Sequence, residues 1–190
     1  MRLIGFILPV LLLVAGCAAG APPLPAQQRI APGVSLTLPE VPPFGPSANA
    51  VQLVRASHGG RVDRFQATIE TSPSRFALAM TVPSGPLVMT IEWHEGAVAV
   101  RRGIAPESLP AARLLADFML VYAPEEALRA ALTGGTLVTS GSGARRIFRN
   151  GDLLVEVRRP TGNPWEGSAQ LENFAYDYQL AIDSQWVAPE

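Results

Sequence analysis

Alternating apolar and polar positions mark most of the chain as β-strands. The alternation is clearest over 65–69, 76–82 and 87–93, where every second residue is apolar. Short turn sequences separate successive runs, and such connections are typical of an antiparallel meander. The pattern predicts a first edge strand over 34–38, followed by strands over 50–57, 61–71, 75–82, 87–94 and 97–102.

Midway along the chain the pattern changes to helical spacing. Ser108 is suited to cap a helix. The run 111–122 then puts its apolar residues on one broad stripe, with Arg113 and Asp117 one turn apart on the polar side. Pro124 ends this helix and begins a second, shorter one. Two helices are therefore predicted in the middle of the sheet.

The second set of strands completes the predicted fold. In the last predicted strand the apolar residues change from odd-numbered to even-numbered positions, which predicts a bulge or break near Asn173. A sheet of about eight to eleven strands tends to curl, and the helices are available to cover its concave apolar face. The predicted fold class is α+β, a curved antiparallel sheet with two helices inserted mid-chain over that face. The later strands are predicted over 136–139, 145–149, 153–159 and 169–186.

Residues 1–17 have the features of an export signal. Arg2 precedes an apolar run over 3–14, which is too short for a permanent membrane span and has the length of a secretory hydrophobic region. Small residues stand directly before Cys17, which is the chain's only cysteine. This ending resembles bacterial lipoprotein signals, in which the thiol receives a diacylglyceryl group and cleavage falls between Gly16 and Cys17.

The resemblance to lipoprotein signals implies a lipid anchor. Two or three acyl chains anchor stably, because each buried methylene contributes about 0.8 kcal/mol. Ala18 after the cysteine implies sorting to the outer membrane, facing the periplasm. An ordinary cleaved signal, or an uncut anchor helix, is the alternative. The predicted organisation is a signal peptide over 1–16, a lipidated, Pro/Ala-rich tether over 17–33, and one domain over 34–190.

Charge and composition argue against several classes of partner and reaction. The net charge is −1, so there is no cationic surplus for nucleic acid. His58 and His94 lack metal-ligand spacing, and the sequence contains no catalytic motif, CxxC pair or phosphate-binding glycine loop. We expect a monomeric protein that is not an enzyme and that needs no cofactor or metal.

Three arginine doublets, at 101–102, 145–146 and 158–159, resemble a basic patch in the linear sequence. Neighbouring residues on a strand point to opposite faces, so each doublet divides between the two faces of the sheet. An Arg on the concave face needs a partner there, and an anionic lipid head group or a carboxylate is a candidate.

Several local motifs, in order and spacing, resemble the LolA/LolB-type lipoprotein fold. More closely, they resemble a lipoprotein family of unknown function that is often encoded beside aryl-polyene and fatty-acid-like biosynthetic genes. The resemblance implies an open half-barrel whose helices form a lid over an apolar cavity. The motifs are Leu114–Leu120, Tyr122–Pro124, Ala127–Leu132, Arg145–Ile147, Gly151–Glu156, Pro164–Gly167, Leu171–Asn173 and Tyr176–Tyr178.

Candidate cavity residues come from the apolar face of the predicted strands and from the helix stripe. Plain core packing is the alternative for these side chains, although Met and aromatic residues suit a deformable apolar pocket. The candidates are Phe76, Leu78, Met80, Met89, Ile91, Trp93, Leu115, Phe118 and Met119.

One turn departs from the LolB pattern. In that pattern the hairpin after the third strand carries Pro-Leu-Gly, and its exposed Leu is associated with delivering lipoproteins into the membrane. The corresponding candidate membrane-facing turn here is Pro83-Ser84-Gly85. Ser84 supplies no apolar wedge.

Together these observations predict a periplasm-facing outer-membrane lipoprotein that binds or transfers a hydrophobic cargo. Its expected partners are membrane lipid, through acylated Cys17, and an acyl lipid, a polyene lipid or a lipoprotein as cargo. The alternative is a structural or assembly lipoprotein that contacts an envelope biosynthetic complex without binding lipid. A third hypothesis, an acyl-transfer enzyme, requires a Ser or His that is indispensable for activity but not for folding.

Overall fold

The described part of the chain, residues 27–105 and 109–188 of a computed structural model, contains thirteen strands and two helices. The predictions for Gly16, Cys17 and Ser108 lie outside the described residues. None of the helices within the described residues is long and apolar enough to cross a membrane. The elements are β1 (Gln27–Ala31), β2 (Val34–Thr37), β3 (Ala48–His58), β4 (Arg61–Thr71), β5 (Arg75–Thr81), β6 (Leu87–His94), β7 (Ala97–Arg102), α1 (Ala111–Tyr122), α2 (Glu125–Ala131), β8 (Leu132–Thr133), β9 (Thr136–Thr139), β10 (Arg145–Arg149), β11 (Asp152–Arg158), β12 (Gly167–Asn173) and β13 (Tyr178–Val187).

Ten of these strands form one antiparallel sheet in the order β7-β6-β5-β4-β3-β13-β12-β11-β10-β9. Two meanders make up the sheet, because short turns join most consecutive strands. The meanders meet where β3 pairs with β13, from Asn49 opposite Val187 to His58 opposite Tyr178. The predicted fold class, an open curved antiparallel sheet with two helices inserted mid-chain, is confirmed.

A small second sheet contains a strand that the sequence does not predict. Residues 27–31 were expected in the tether, but they form β1, which pairs with β2, and β2 pairs with β8. Ile30 and Ala31 are both 0% exposed. Burial of these two side chains favours the strand, and Gly33 at φ 71° makes the turn into β2.

The predicted last strand is divided into β12 and β13, and the side chain of Asn173 explains the break. Asn173 Oδ1 accepts a hydrogen bond from the Tyr176 N–H at 3.0 Å, which closes a turn in the manner typical of Asn. Its Nδ2 donates to the Ile30 carbonyl at 2.9 Å. The structure therefore confirms the predicted break near Asn173 and shows that Asn173 also ties β12 to β1.

An aromatic cluster fills part of the space between α1 and the sheet. Phe44, from the Pro-rich segment before β3, is buried with its ring centroid 4.9 Å from that of Phe76 and 5.9 Å from that of Trp93. Phe118 of α1 lies 5.0 Å from Phe76. These contacts hold the helix against β5 and β6 with little space between them.

The C-terminal end of α1 is held by a buried arginine on β10. The guanidinium of Arg145 donates to the carbonyl oxygens of Leu120 at 2.9 Å, Val121 at 3.4 Å and Ala123 at 2.6 Å. The last carbonyls of a helix have no partner within the helix, and a cation there also complements the helix dipole. Burial, with the nearby charge of Arg159, lowers the pKa of Arg145 from 12.5 to about 10, so the side chain stays charged at neutral pH.

This arrangement corrects the expectation for the arginine doublets. Arg145 does point to the concave face, but its partners there are helix carbonyls rather than a lipid head group or a carboxylate. Arg146, its neighbour, lies on the other face and bonds Glu156 at 2.7 Å. For this doublet the alternation argument is correct, and the inner-face arginine finds its partners in the protein itself. In another doublet, the Nε of Arg159 is buried without a hydrogen-bond partner among the described residues.

We predict that Arg145→Met lowers the free energy of unfolding by about 3 kcal/mol, because it leaves buried helix carbonyls without donors. Urea denaturation followed by circular dichroism measures this change. Arg101→Met, at an exposed position on β7, is the matched control and is expected to stay within about 0.5 kcal/mol of the wild type. Equal stability of the two variants would contradict the role of Arg145.

Candidate functional site

A cavity of about 400 Å³ lies between α1 and the inner face of β3, β4, β5 and β13. This volume is within the range of known small-molecule sites. Its walls are mostly apolar, with a few polar groups placed among them. The apolar wall residues are Val54, Ala56, Phe65, Ala67, Leu78, Met80, Leu109, Leu114, Phe118, Leu180 and Ile182.

Strand alternation explains why these side chains share one face. On β3, the even-numbered residues Gln52, Val54 and Ala56 point inward, and the register places Val54 opposite Ile182 and Ala56 opposite Leu180 on β13. The inward residues of the central strands therefore form one continuous apolar wall facing α1.

One polar group in the cavity lining joins β3, β13 and α1. The Gln52 side chain is 0% exposed and its Nε2 donates to Tyr122 Oη at 2.7 Å and to Ser184 Oγ at 2.9 Å. The Tyr122 ring stacks on Trp165 with centroids 4.7 Å apart. Burial raises the pKa of the Tyr122 phenol above its usual value. The group is therefore neutral at physiological pH and fixes the orientation of the last turn of α1.

Asp117 forms a second polar group, on the middle of α1. Its carboxyl Oδ1 accepts a hydrogen bond from Tyr178 Oη at 2.6 Å. Burial raises the pKa of Asp117 from 3.8 to about 7, against the lowering effects of that hydrogen bond and of the Arg113 charge. The pKa of Tyr178 is raised by burial and by the adjacent carboxyl. Asp117 is therefore partly protonated at neutral pH.

Arg113 supplies a cation on the cavity wall, one helical turn before Asp117. Its guanidinium carbon lies 4.6 Å from the centroid of the Tyr176 ring and 5.9 Å from that of Tyr178. Nη1 also donates to the Ile30 carbonyl at 3.4 Å. Two aromatic faces and one carbonyl therefore position the charge beside an apolar space.

The exposed side chains of His58 and Asp63 border the cavity at the β3–β4 turn. A neighbouring groove of about 470 Å³ shares both residues and continues past Arg61 to the exposed side chain of Ile104. The cavity thus has an accessible mouth at this end of the sheet, defined by His58, Asp63 and the groove.

The predicted cavity residues occupy two different places. Leu78, Met80 and Phe118 line the cavity. The others are almost completely buried and pack within the core: Phe76, Met89, Ile91, Trp93, Leu115 and Met119.

The candidate membrane-facing turn lies between β5 and β6, at the same end of the sheet as the mouth. Pro83, Ser84 and Gly85 are all exposed, and Ser84 has a φ of 55°. The Gly85 N–H donates to the Val82 carbonyl at 3.0 Å, and Val82 lines the groove beside the mouth. The turn therefore presents a polar tip next to apolar side chains.

The sequence did not identify the polar residues of the cavity. It placed Arg113 and Asp117 together on the solvent side of α1, whereas Asp117 is 6% exposed and hydrogen-bonded to Tyr178. The available signal is that Arg113 and Asp117 are the only charged residues in a helix of twelve that is otherwise apolar or aromatic. A helix so apolar is expected to be buried nearly all round.

The described side chains of the cavity are suited to binding. Among the described residues, no three His, Cys, Asp or Glu side chains cluster as metal ligands. The cavity instead offers apolar walls, one cation and buried hydroxyl and amide groups that are largely bonded to one another. This arrangement suits an apolar chain with a polar end.

The chain belongs to a family described as "Protein of unknown function (DUF3261)", which matches residues 49–186. The match includes most of β3 and β13 and therefore both sides of the cavity wall. A LolA superfamily protein from Nitrosomonas europaea, known from its crystal structure, is similar with a TM-score of 0.46 and 10% identity, over 80% of this chain and 89% of that chain. A likeness of this extent does not establish a shared function. No curated protein matches the chain.

We predict that Asp117→Asn changes how stability depends on pH. Because the pKa of Asp117 rises from 3.8 to about 7 on folding, the folded state binds more protons between these values and loses stability as pH rises from about 4 to about 7. The loss is roughly 2–4 kcal/mol. Asn keeps the acceptor for Tyr178 without ionising, so the variant is expected to be more stable than the wild type at pH 8.

Urea denaturation at pH 5 and pH 8 measures the difference between the two proteins. Asp152→Asn, at an exposed position beginning β11, is the control and should leave the pH dependence unchanged. A wild type and an Asp117→Asn variant that lose equal stability between these pH values would show that Asp117 does not titrate in this range.

Proposed function

We propose that this protein is a non-enzymatic carrier or receptor that shelters an apolar chain in the cavity beneath α1. The supporting observation is a cavity of about 400 Å³ whose walls are almost entirely apolar and which is accessible at one end. Water along the apolar wall finds few hydrogen-bond partners, so an apolar guest gains by replacing it. An acyl lipid, a polyene lipid or the acyl groups of a lipoprotein have this character.

The second part of the proposal concerns location. We propose that Cys17 is acylated after cleavage behind Gly16 and that the protein is held on the outer membrane, facing the periplasm. The support is the apolar run over 3–14 with small residues directly before the chain's only cysteine. An anchored carrier can take up or deliver a lipid without itself leaving the bilayer surface.

Filling the cavity should prevent binding. Ala56 is half-buried in the cavity wall, and we predict that Ala56→Trp weakens binding of the apolar fluorescent probe N-phenylnaphthylamine by roughly tenfold or more, equal to about 1.4 kcal/mol. Leu53→Trp places the same side chain on the outer face of the same strand, where Leu53 is 56% exposed. This control is expected to bind like the wild type. Fluorescence titration measures both.

Native mass spectrometry of the detergent-free chain from residue 18, which contains every described residue, extends the test to natural lipids. Lipid retained by the wild type and lost in Ala56→Trp supports the carrier function. A wild type that binds neither probe nor lipid would contradict it. If cells that carry Ala56→Trp show the wild-type phenotype and the protein crosslinks to one protein partner, an assembly role would be favoured instead.

Cys17→Ser tests the anchor. We expect the wild-type chain to fractionate with membranes and to incorporate labelled palmitate, whereas the variant loses the label because it lacks the acylated thiol. Fractionation and labelling in the bacterial cell measure the change. Ser35→Ala, a conservative change at a half-buried site in β2, is the control for expression and folding. Equal labelling of wild type and Cys17→Ser would contradict acylation at this residue.

A further inference from the structure

The cation on the cavity wall is not explained by an apolar cargo alone. Arg113 is half-buried and lines the cavity, and its guanidinium is held against Tyr176 and Tyr178 and by the Ile30 carbonyl. No carboxylate of the described residues lies within ion-pair distance of it. A partly desolvated charge gains from a partner of opposite sign.

The nearest acidic group cancels this charge only in part. Asp117 lies one turn further along α1, and its carboxyl bonds Tyr178 Oη at 2.6 Å. Since burial holds the pKa of Asp117 at about 7, a substantial fraction of its carboxyl is neutral at physiological pH. The other titratable side chains that line this space are His58 and Asp63, which are exposed at the mouth, and the phenols of Tyr122, Tyr176 and Tyr178.

The charge of Arg113 favours an anion that carries one negative charge. The planar guanidinium presents paired donors that match a carboxylate or a phosphate. The single charge of a carboxylate balances this cation, whereas a phosphate monoester carries about −1.5 to −2 at pH 7. The rings of Tyr176 and Tyr178 lie against the group, with centroids 4.6 Å and 5.9 Å from its guanidinium carbon. The apolar wall of Leu78, Met80 and Leu180 belongs to the same cavity, so a chain lying along it can place its polar end at Arg113.

We propose that the ligand of this cavity is a long-chain carboxylate, with its chain along the apolar wall and its carboxylate paired with Arg113. This inference rests on the proposed carrier function and specifies the class of cargo. A long-chain phosphate monoester is the other anionic head group that a guanidinium recognises. A neutral lipid of equal length has no partner for the charge.

The test compares palmitate, hexadecanol and hexadecyl phosphate as competitors that displace N-phenylnaphthylamine from the detergent-free chain from residue 18. We expect the wild type to bind palmitate about tenfold more tightly than hexadecanol. Arg113→Gln should lose this preference, which is read as the ratio of its affinities for palmitate and hexadecanol, whatever its affinity for the probe. Arg113→Lys keeps the charge without the paired donors and should keep a smaller preference. Arg101→Gln, at an exposed position on β7, is the matched control and should behave like the wild type.

Three results would overturn the proposal. The first is equal displacement of the probe from the wild type by palmitate and by hexadecanol. The second is an unchanged preference for palmitate in Arg113→Gln. The third is tighter binding of hexadecyl phosphate than of palmitate, which would reassign the head group. If Arg113→Gln no longer binds the probe, Arg113→Lys decides, because it must still prefer palmitate. Failure of the carrier function itself has a different signature, since the wild type would then bind neither probe nor hexadecanol.

Discussion

The inner face of the main sheet is much wider than the helix that covers it. Ten strands spaced about 4.8 Å apart span roughly 43 Å from the first to the last, whereas the twelve residues of α1 extend about 18 Å. With Phe44 and the small sheet, the helix covers only part of the face. The apolar wall that it leaves uncovered, from β5 through β3 to β13, is the wall of the cavity. The cavity therefore follows from a mismatch of dimensions.

Polar contacts act together with the aromatic packing of Phe118 to fix where α1 lies on this face. Arg145 holds its last carbonyls, Gln52 and Ser184 hold Tyr122 at its end, and Tyr178 holds Asp117 at its middle. Apolar contacts are non-directional and would allow the helix to slide over the sheet. Hydrogen bonds in a dry environment specify one position, and leaving any of them unmade is costly. These contacts keep the helix from closing onto the uncovered wall.

The sequence predicted the fold more fully than the site. Period-two alternation gave most strands to within a few residues and identified the inner face, and the change to helical spacing gave α1. It did not give β1, because the residues of this strand show no alternation and lie in a Pro/Ala-rich stretch. Nor does alternation show which part of a face stays uncovered, so Trp93 and Met80 look alike in sequence although only Met80 lines the cavity. The buried position of Asp117 depends on Tyr178, which lies 61 residues away.

Because Gln27–Ala31 are folded into β1, a domain anchored through Cys17 would have a shorter tether. Nine residues lie between Cys17 and the start of β1, which gives a fully extended reach of about 35 Å at most, whereas a free segment to residue 33 would reach about 55 Å. The mouth of the cavity would then stay within a thin zone next to the membrane that holds the anchor. Any exchange of cargo with the opposite membrane would need a mobile intermediary to make the crossing.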